Sequence, residues 1–328
     1  MVAISGANGL LGSFIVRKLI QEQKPFLALK RANSDTSLLN DVADQIEWRN
    51  TDVLNPVLLS DALEGCTQII HAAAIVSYNP HRANEVMEIN VQGTRNIVNA
   101  CLEQNIKRLV HISSVSALGR QKDQTLIQEN NKWIDSPTNS LYAKSKYRAE
   151  LEVFRGQEEG LSTLILNPSV ILAPADWDKS SARLFKYAWK QRPFYLDAYL
   201  NYVDVRDVAS IACQSLDSDK QGERFIINAG NILFKFFFEK IARNFQTNPP
   251  KIRLSREMLR FLARAETFRS WITGSEPHIT RETAQLADTQ FLYDNKKIKK
   301  ILNFEFQSID NTLEWCCYYY SKKFNSKK

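Results

Sequence analysis

The 328-residue sequence predicts an α/β protein, a doubly wound parallel sheet carrying a smaller, discontinuous lobe. Three observations carry that expectation. Strand-like apolar runs at 2–5, 26–30, 46–49, 68–72, 108–113, 162–167 and 223–228 alternate with helical patterns, which is the rhythm of βαβ units. The first run leads straight into a glycine-rich turn and then a helix. Residues 174–200 and most of 229–328 lack the alternation and read as helices and loops. The expected division is a sheet body of 1–173 and 201–228 and a lobe of 174–200 and 229–328.

Taken in order, Val2-Ala3-Ile4 forms a strand, Gly6-Ala7-Asn8-Gly9-Leu10-Leu11-Gly12 a turn, and Ser13 to Gln23 a helix. Glycines at such a turn let main chain approach a pyrophosphate, and the helix start offers free N–H groups and the positive end of its dipole. Gly6, Asn8, Gly9, Leu10, Leu11 and Gly12 are therefore candidate dinucleotide-binding positions. The second strand ends in Lys30-Arg31, where an NAD-binding chain would place an acid against the ribose hydroxyls. Two cations there attract a 2′-phosphate, and Arg31 can grip it with a bidentate fork. NADP(H) is favoured over NAD(H), with Asp35 the only nearby acid a loop could return.

Downstream, the fifth strand runs into His111-Ile112-Ser113-Ser114-Val115-Ser116, and a helix carries Tyr142 and Lys146 four residues apart. That spacing stacks a phenol and an ammonium on one helical face. The ammonium stabilises the phenolate and brings an otherwise weak acid–base group towards working range. A serine hydroxyl past the fifth strand suits holding a carbonyl oxygen during hydride addition, with Ser113, Ser114 and Ser116 all in reach of that role.

In its glycine turn, its Tyr142/Lys146 pair and several motifs between them, the chain resembles the extended short-chain dehydrogenase/reductase family over nearly its whole length. Those motifs are Thr51-Asp52-Val53, His71-Ala72-Ala73-Ala74, Asn90-Val91-Gln92-Gly93-Thr94, Leu166-Asn167-Pro168 and Tyr202-Val203-Asp204. Within the family it looks most like the branch of dihydroflavonol-4-reductases, 3β-hydroxysteroid dehydrogenases and related carbonyl reductases. The resemblance implies a Rossmann fold and reversible hydride transfer between nicotinamide and a carbonyl or alcohol carbon of a small organic substrate. It implies Ser114, five positions before Gly119, as the active serine, and Tyr142, Lys146 and Asn90 as its catalytic companions, Asn90 by keeping its helix distorted. Asp52 is implied to meet the adenine amino group and Val53 the adenine ring, with Ala72, Ala73, Ala74 and Pro168 also lining the cofactor. Asn167 matches a substrate-contacting position of nucleotide-sugar epimerases, which keeps an NAD-retaining epimerase or dehydratase as the alternative. A dinucleotide sensor without turnover is a further reading, against which the intact Ser114, Tyr142 and Lys146 stand. A homodimer through helices near 85–104 and 140–157 is also implied.

Composition narrows the rest. A 44% hydrophobic content supports a sizeable core. The five cysteines have no Cys-x-x-Cys and no histidine pair at ligand spacing, so neither metal nor disulfides are expected. Their pattern and the lack of a secretory leader point to reduced thiols and a cytoplasmic setting. Net charge is +7, but the basic residues are dispersed apart from 296–300 and the terminal lysines, so no nucleic acid is expected. No apolar run approaches the roughly 18 residues of a membrane span, so Trp315 to Tyr320 reads as a packed terminal helix and no membrane partner is expected. Trp177, Phe185, Trp189, Phe194, Tyr195 and Tyr199 read equally well as lobe core or as the wall of an apolar substrate pocket. Arg256, Arg260 and Arg264 read as the polar side of an amphipathic helix containing Leu259, Phe261 and Leu262, or as partners for a sugar diphosphate.

Overall fold

The computed structural model describes residues 1–120, 125–136, 139–177, 180–275 and 291–325. Seven strands make the main sheet: β1 (Val2–Ser5), β2 (Phe26–Lys30), β3 (Trp48–Asn50), β4 (Gln68–His71), β5 (Arg108–Ile112), then β7 (Thr163–Pro168) and β11 (Glu223–Ile227), with the short β6 (Leu126–Ile127) outside it. Their order is β11-β7-β5-β4-β1-β2-β3 and every pairing is parallel. The chain runs outward from β1 through β2 to β3 and then returns to β1's other side as β4. That reversal opens a crevice beyond the carboxyl ends of β1 and β4, the place where an open α/β sheet takes its ligand.

Continuous apolar runs suit strands covered on both faces. Helices α1 (Leu10–Gln21) and α7 (Val205–Leu216) cover one face, burying Ile15, Val16, Leu19, Val208, Ile211 and Ala212 against Ile4, Ile70, Val110 and Leu164. On the other face lie α2 (Pro56–Ala62), α3 (Ala83–Met87), α4 (Gly93–Glu103) and α5 (Leu141–Glu158). Leu59, Ile97, Val98 and Val153 there meet Leu27, Ile69, Leu109 and Ile165.

A second sheet, β12-β10-β8, joins β8 (Val170–Leu172), β10 (Tyr199–Asp204) and β12 (Gly230–Leu233) and begins the lobe; a pair of two-residue strands, β9 (Phe194–Tyr195) and β13 (Ile252–Arg253), extends it. Of the segment expected to return to the sheet body, α7 and β11 do so, whereas β10 belongs to this smaller sheet. Another two-residue strand, β14 (Leu292–Tyr293), pairs with β6. The lobe's core is aromatic: α6 (Ala182–Trp189), α8 (Phe234–Phe245) and the helix Ile309–Asn325 close over Trp177, Phe185, Phe237 and Tyr320. Trp177 and Phe185 are thus core, Trp189 and Tyr195 are partly buried against it, Tyr199 is partly buried, and Phe194 is 39% exposed. Thr312 ties the terminal helix to buried Asp204, donating its hydroxyl at 2.8 Å.

All five cysteines are free and buried. Desolvation drives their thiols upward, to about 12 for Cys213 and Cys317. Among the described residues no helix is long and apolar enough to cross a membrane.

Candidate active site

The glycine turn sits at the mouth of the crevice. Gly6 has φ +74°, and a Cβ there would lie 2.6 Å from the Ala73 nitrogen, so the turn nestles against the chain leaving β4. At Gly12 a Cβ would come within 2.0 Å of the Gly6 carbonyl oxygen, which fixes how closely α1 follows the turn. Gly9 caps α1 without any side-chain hydrogen bond, and no acid stands in the helix's first turn. The N–H groups of its first turn, Leu10 and Leu11 among them, are left for an anion, as a dinucleotide pyrophosphate requires. Asn8 donates to the Asp35 carbonyl at 3.1 Å and so joins the turn to the loop after β2.

That loop carries the two cations. Lys30 donates to the Ala32 carbonyl at 3.3 Å and lies 5.9 Å from the Trp48 ring centroid, while Arg31 is exposed. The Asp35 carboxylate accepts the Ser37 N–H at 2.9 Å, a local turn contact. Asp52 likewise accepts the Leu54 N–H at 2.9 Å, an Asx turn leading into α2. Val53 packs on Gly93, and its carbonyl accepts from Asn96 at 2.9 Å.

Asn90 lies in a π-helical turn, Glu88–Gln92, between α3 and α4. Its side chain brackets the backbone of Ile75, accepting from the nitrogen at 2.8 Å and donating to the oxygen at 2.9 Å. The same amide nitrogen donates to Ser145 Oγ at 2.9 Å, and Ser145 donates to the Tyr142 carbonyl at 2.8 Å. One asparagine thus fastens the loop beyond β4 to the turn of α5 that carries Tyr142. Ser140 caps that helix by accepting the Ala143 N–H.

Buried histidines lie beneath. His71 sits between Ser5 Oγ at 2.6 Å and Thr94 Oγ1 at 3.0 Å. The Thr94 hydroxyl spends its one proton on the Asn90 carbonyl, so it accepts from His71 Nε2–H, and Nδ1 in turn accepts from Ser5. His71 is therefore neutral, and desolvation followed by the Lys146 charge holds its pKa down at about 3. His111 lies with its ring centroid 5.2 Å from that of His71, and neither of its nitrogens has a hydrogen-bond partner among the described residues. Desolvation, then Lys146 and His71, hold it well below the ordinary histidine range.

Lys146 is 2% exposed and donates to the Ile112 carbonyl at 2.7 Å. Desolvation lowers its pKa to about 8, against an upward pull from Glu150. Tyr142, one turn earlier, is half-buried, and its ring meets Tyr78 edge-on at 6.1 Å.

The three serines separate clearly. Ser113 is buried and donates to Glu150 at 2.5 Å. Ser116 donates both its N–H, at 3.2 Å, and its hydroxyl, at 3.0 Å, to Ser114 Oγ. With both lone pairs of Ser114 taken and its side chain half-buried, its own O–H is the group left to offer a substrate oxygen.

Sequence reasoning missed Glu150. It is fully buried, one turn beyond Lys146, and three donors converge on it: Ser113, Asn167 at 2.6 Å and Arg224 at 3.0 Å. The four-residue spacing from Lys146 was the available signal. Asn167 is itself fully buried, donating to Glu150 and, at 2.9 Å, to the Ser114 carbonyl, and its Oδ1 has no partner among the described residues. Pro168 ends β7 beside it. Of the three arginines singled out by their four-residue spacing in helix α9 (Arg256–Thr273), Arg264 is exposed, and the side chains of Arg256 and Arg260 lie outside the described residues. Phe261, expected on that helix's apolar side with Leu259, is instead 70% exposed while Leu259 is buried.

Comparison with known proteins identifies the family and the fold. The model of the NAD dependent epimerase/dehydratase family matches residues 2–230. A putative dihydroflavonol 4-reductase of Synechocystis sp. is 28% identical over 94% of this chain and 91% of its own length. Sterol demethylase protein B of Methylococcus capsulatus is 28% identical over 68% of each chain. Among solved structures, that of gox2253 superposes with a TM-score of 0.85 at 28% identity, covering 99% of this chain and 98% of the other. UDP-glucose 4-epimerase of Thermotoga maritima shares the fold, with a TM-score of 0.79 at 15% identity over 98% and 99%.

Proposed function

Because the chain belongs to the NAD dependent epimerase/dehydratase family, a family of NAD(P)-dependent enzymes, we propose that it is an NADP(H)-dependent reductase. Its substrate in this reading is a small carbonyl compound or the corresponding alcohol. The observation that carries it is the fully desolvated Lys146 ammonium one helical turn from Tyr142, on a helix packed against the turn that holds Ser114.

When bound, the nicotinamide supplies or accepts the hydride. Tyr142 gives the carbonyl oxygen its proton in reduction and takes it back in oxidation. Lys146 makes that exchange feasible near neutrality, because a positive charge kept from water stabilises the phenolate strongly. Ser114 offers its O–H to the same oxygen and stabilises the charge that grows there. Asn90 holds the Tyr142 turn through Ser145, and Gly6 to Gly12 with the start of α1 receive the pyrophosphate. The preference for NADP(H) rests on Lys30 and Arg31 closing β2 and on Asp35 being engaged with its own turn.

A nucleotide-sugar epimerase using retained NAD is the second reading. Asn167 gives it little support, since both contacts of its amide nitrogen are internal. The test is NADPH consumption against aldehydes, ketones, flavonoid-like and steroid ketones, run beside nucleotide-sugars. Turnover of a carbonyl compound with NADPH is expected. Stereochemical exchange at a sugar carbon without net cofactor use, faster than any carbonyl reduction, would overturn the proposal.

A further inference from the structure

Helix α9 is fastened to the lobe by a narrow face. Leu259, Ala263 and Ser270 are buried, with Leu196 and Leu254 packed against the first two. Ser255 caps its start and Gly274, at φ +67°, ends it, so the helix is closed at both ends. Its C-terminal turn is pinned beside the active site: His81 Nε2 meets the Trp271 carbonyl at 2.6 Å, and Asn79 donates to the Gly274 carbonyl.

The opposite face is apolar and open. Met258, Phe261, Phe268 and Ile272 recur at steps of three, seven and four residues, which keeps them on one face, with exposures of 51%, 70%, 63% and 62%. Trp271, 61% exposed, stacks on Phe268 with ring centroids 6.2 Å apart. The stripe extends along nearly all of an 18-residue helix, about 27 Å. Monomeric proteins seldom leave so continuous a patch uncovered.

Charge identifies what covers it. The helix carries Arg256, Arg260, Arg264 and Arg269 against Glu257 and Glu266, and the whole chain is at +7. Arg269 is already bridged to Glu266 at 2.8 Å, while Arg264 is exposed, and by sequence the helix keeps a positive surplus. Large exposed apolar side chains with exposed Arg264 among them, in a helix whose sequence holds four arginines against two glutamates, are the composition of a helix that lies in a lipid interface. A second copy of the chain fits less well. At roughly 150–250 Å² per large side chain, the five residues show on the order of 600 Å², below the ~800 Å² each partner of a stable dimer contributes. The stripe spans about two heptads, short of the three to four a paired coil needs. An isologous contact would also bring the same surplus of positive charge to face itself.

We propose that helix α9 rests on an anionic membrane surface, with Met258, Phe261, Phe268, Trp271 and Ile272 entering the acyl boundary and Arg264 meeting lipid phosphates. A helix lying on the surface needs no spanning run, so the lack of one in the sequence is no obstacle. Docking does not depend on which reaction the site performs.

The test is co-sedimentation of the full chain with phosphatidylcholine vesicles, with and without phosphatidylglycerol. Binding to the phosphatidylglycerol vesicles that weakens as salt rises is expected. Phe261→Ser combined with Phe268→Ser should lower that affinity roughly tenfold or more per aromatic lost, and Arg264→Glu should lower it separately. These positions are exposed, so circular dichroism should remain native. Absence of binding, or equal binding by either variant, would overturn the proposal. So would a dimer in solution that the double serine variant abolishes, which would assign the face to a second copy.

Discussion

Glu150 stands one helical turn beyond Lys146, and both charges are shut away from water, at 0% and 2% exposure. Coulombic attraction from Glu150 pulls the lysine pKa up against the larger lowering by desolvation. The same carboxylate holds Ser113 and Asn167, which flank Ser114 in space. A single buried acid therefore supports both sides of the site.

Glu150→Gln should lower turnover and move the alkaline limb of the pH–rate profile to lower pH, because losing the negative charge lets the Lys146 pKa fall further. A simple loss of packing would reduce the rate without moving the limb. Glu150→Ala, which leaves Arg224 without its buried partner, should cost about 3 kcal/mol of stability in urea unfolding.

Tyr142→Phe should bind dinucleotide normally while turning over roughly a hundred- to ten-thousand-fold more slowly. Lys146→Ala should weaken both binding and rate. Near-normal turnover by the phenylalanine variant would remove Tyr142 from the chemistry.

Arg31→Asp should weaken NADPH binding roughly ten- to a hundred-fold and shift preference towards NADH, as loss of one charge-assisted contact predicts. Calorimetric titration with both cofactors checks it. Equal affinities in the unaltered protein would show that the end of β2 does not select the phosphate.

Acid should destabilise the fold through its paired histidines. His71, at about 3, and His111, held well below normal, have folded pKa values beneath the unfolded value of about 6.5. Below that pH the unfolded chain binds more protons, so stability falls as pH drops, by roughly 1.4 kcal/mol per unit for each histidine. Urea midpoints measured between neutrality and pH 4 should show the slope, and His111→Phe should reduce it by about half.

The main sheet was legible because each buried strand announces itself locally. Six of the seven runs coincide with their strands to within a residue, and only the third is displaced, from 46–49 to Trp48–Asn50, because Ile46 closes a preceding 3₁₀ segment. The glycine turn and the Tyr142–Lys146 pair were legible for the same reason, since a few consecutive positions carry the pattern. What stayed hidden depends on distant partners. Ser5 and His71 are 66 positions apart, and Glu150 reaches Arg224 across 74. The exposed face of α9 was hidden too: its spacing marks an apolar stripe but does not say whether the lobe covers it, and Phe261 was expected on the wrong side.

The burial of every cysteine makes this chain convenient to interrogate. Thiols without solvent access and with raised pKa values carry almost no thiolate, so alkylating and spin-labelling reagents should leave the folded protein untouched. A cysteine introduced at Phe268 would then be the single reactive position. Its label would report immersion directly, through accessibility to oxygen or to a polar relaxation agent, without first stripping the protein of its own sulfur.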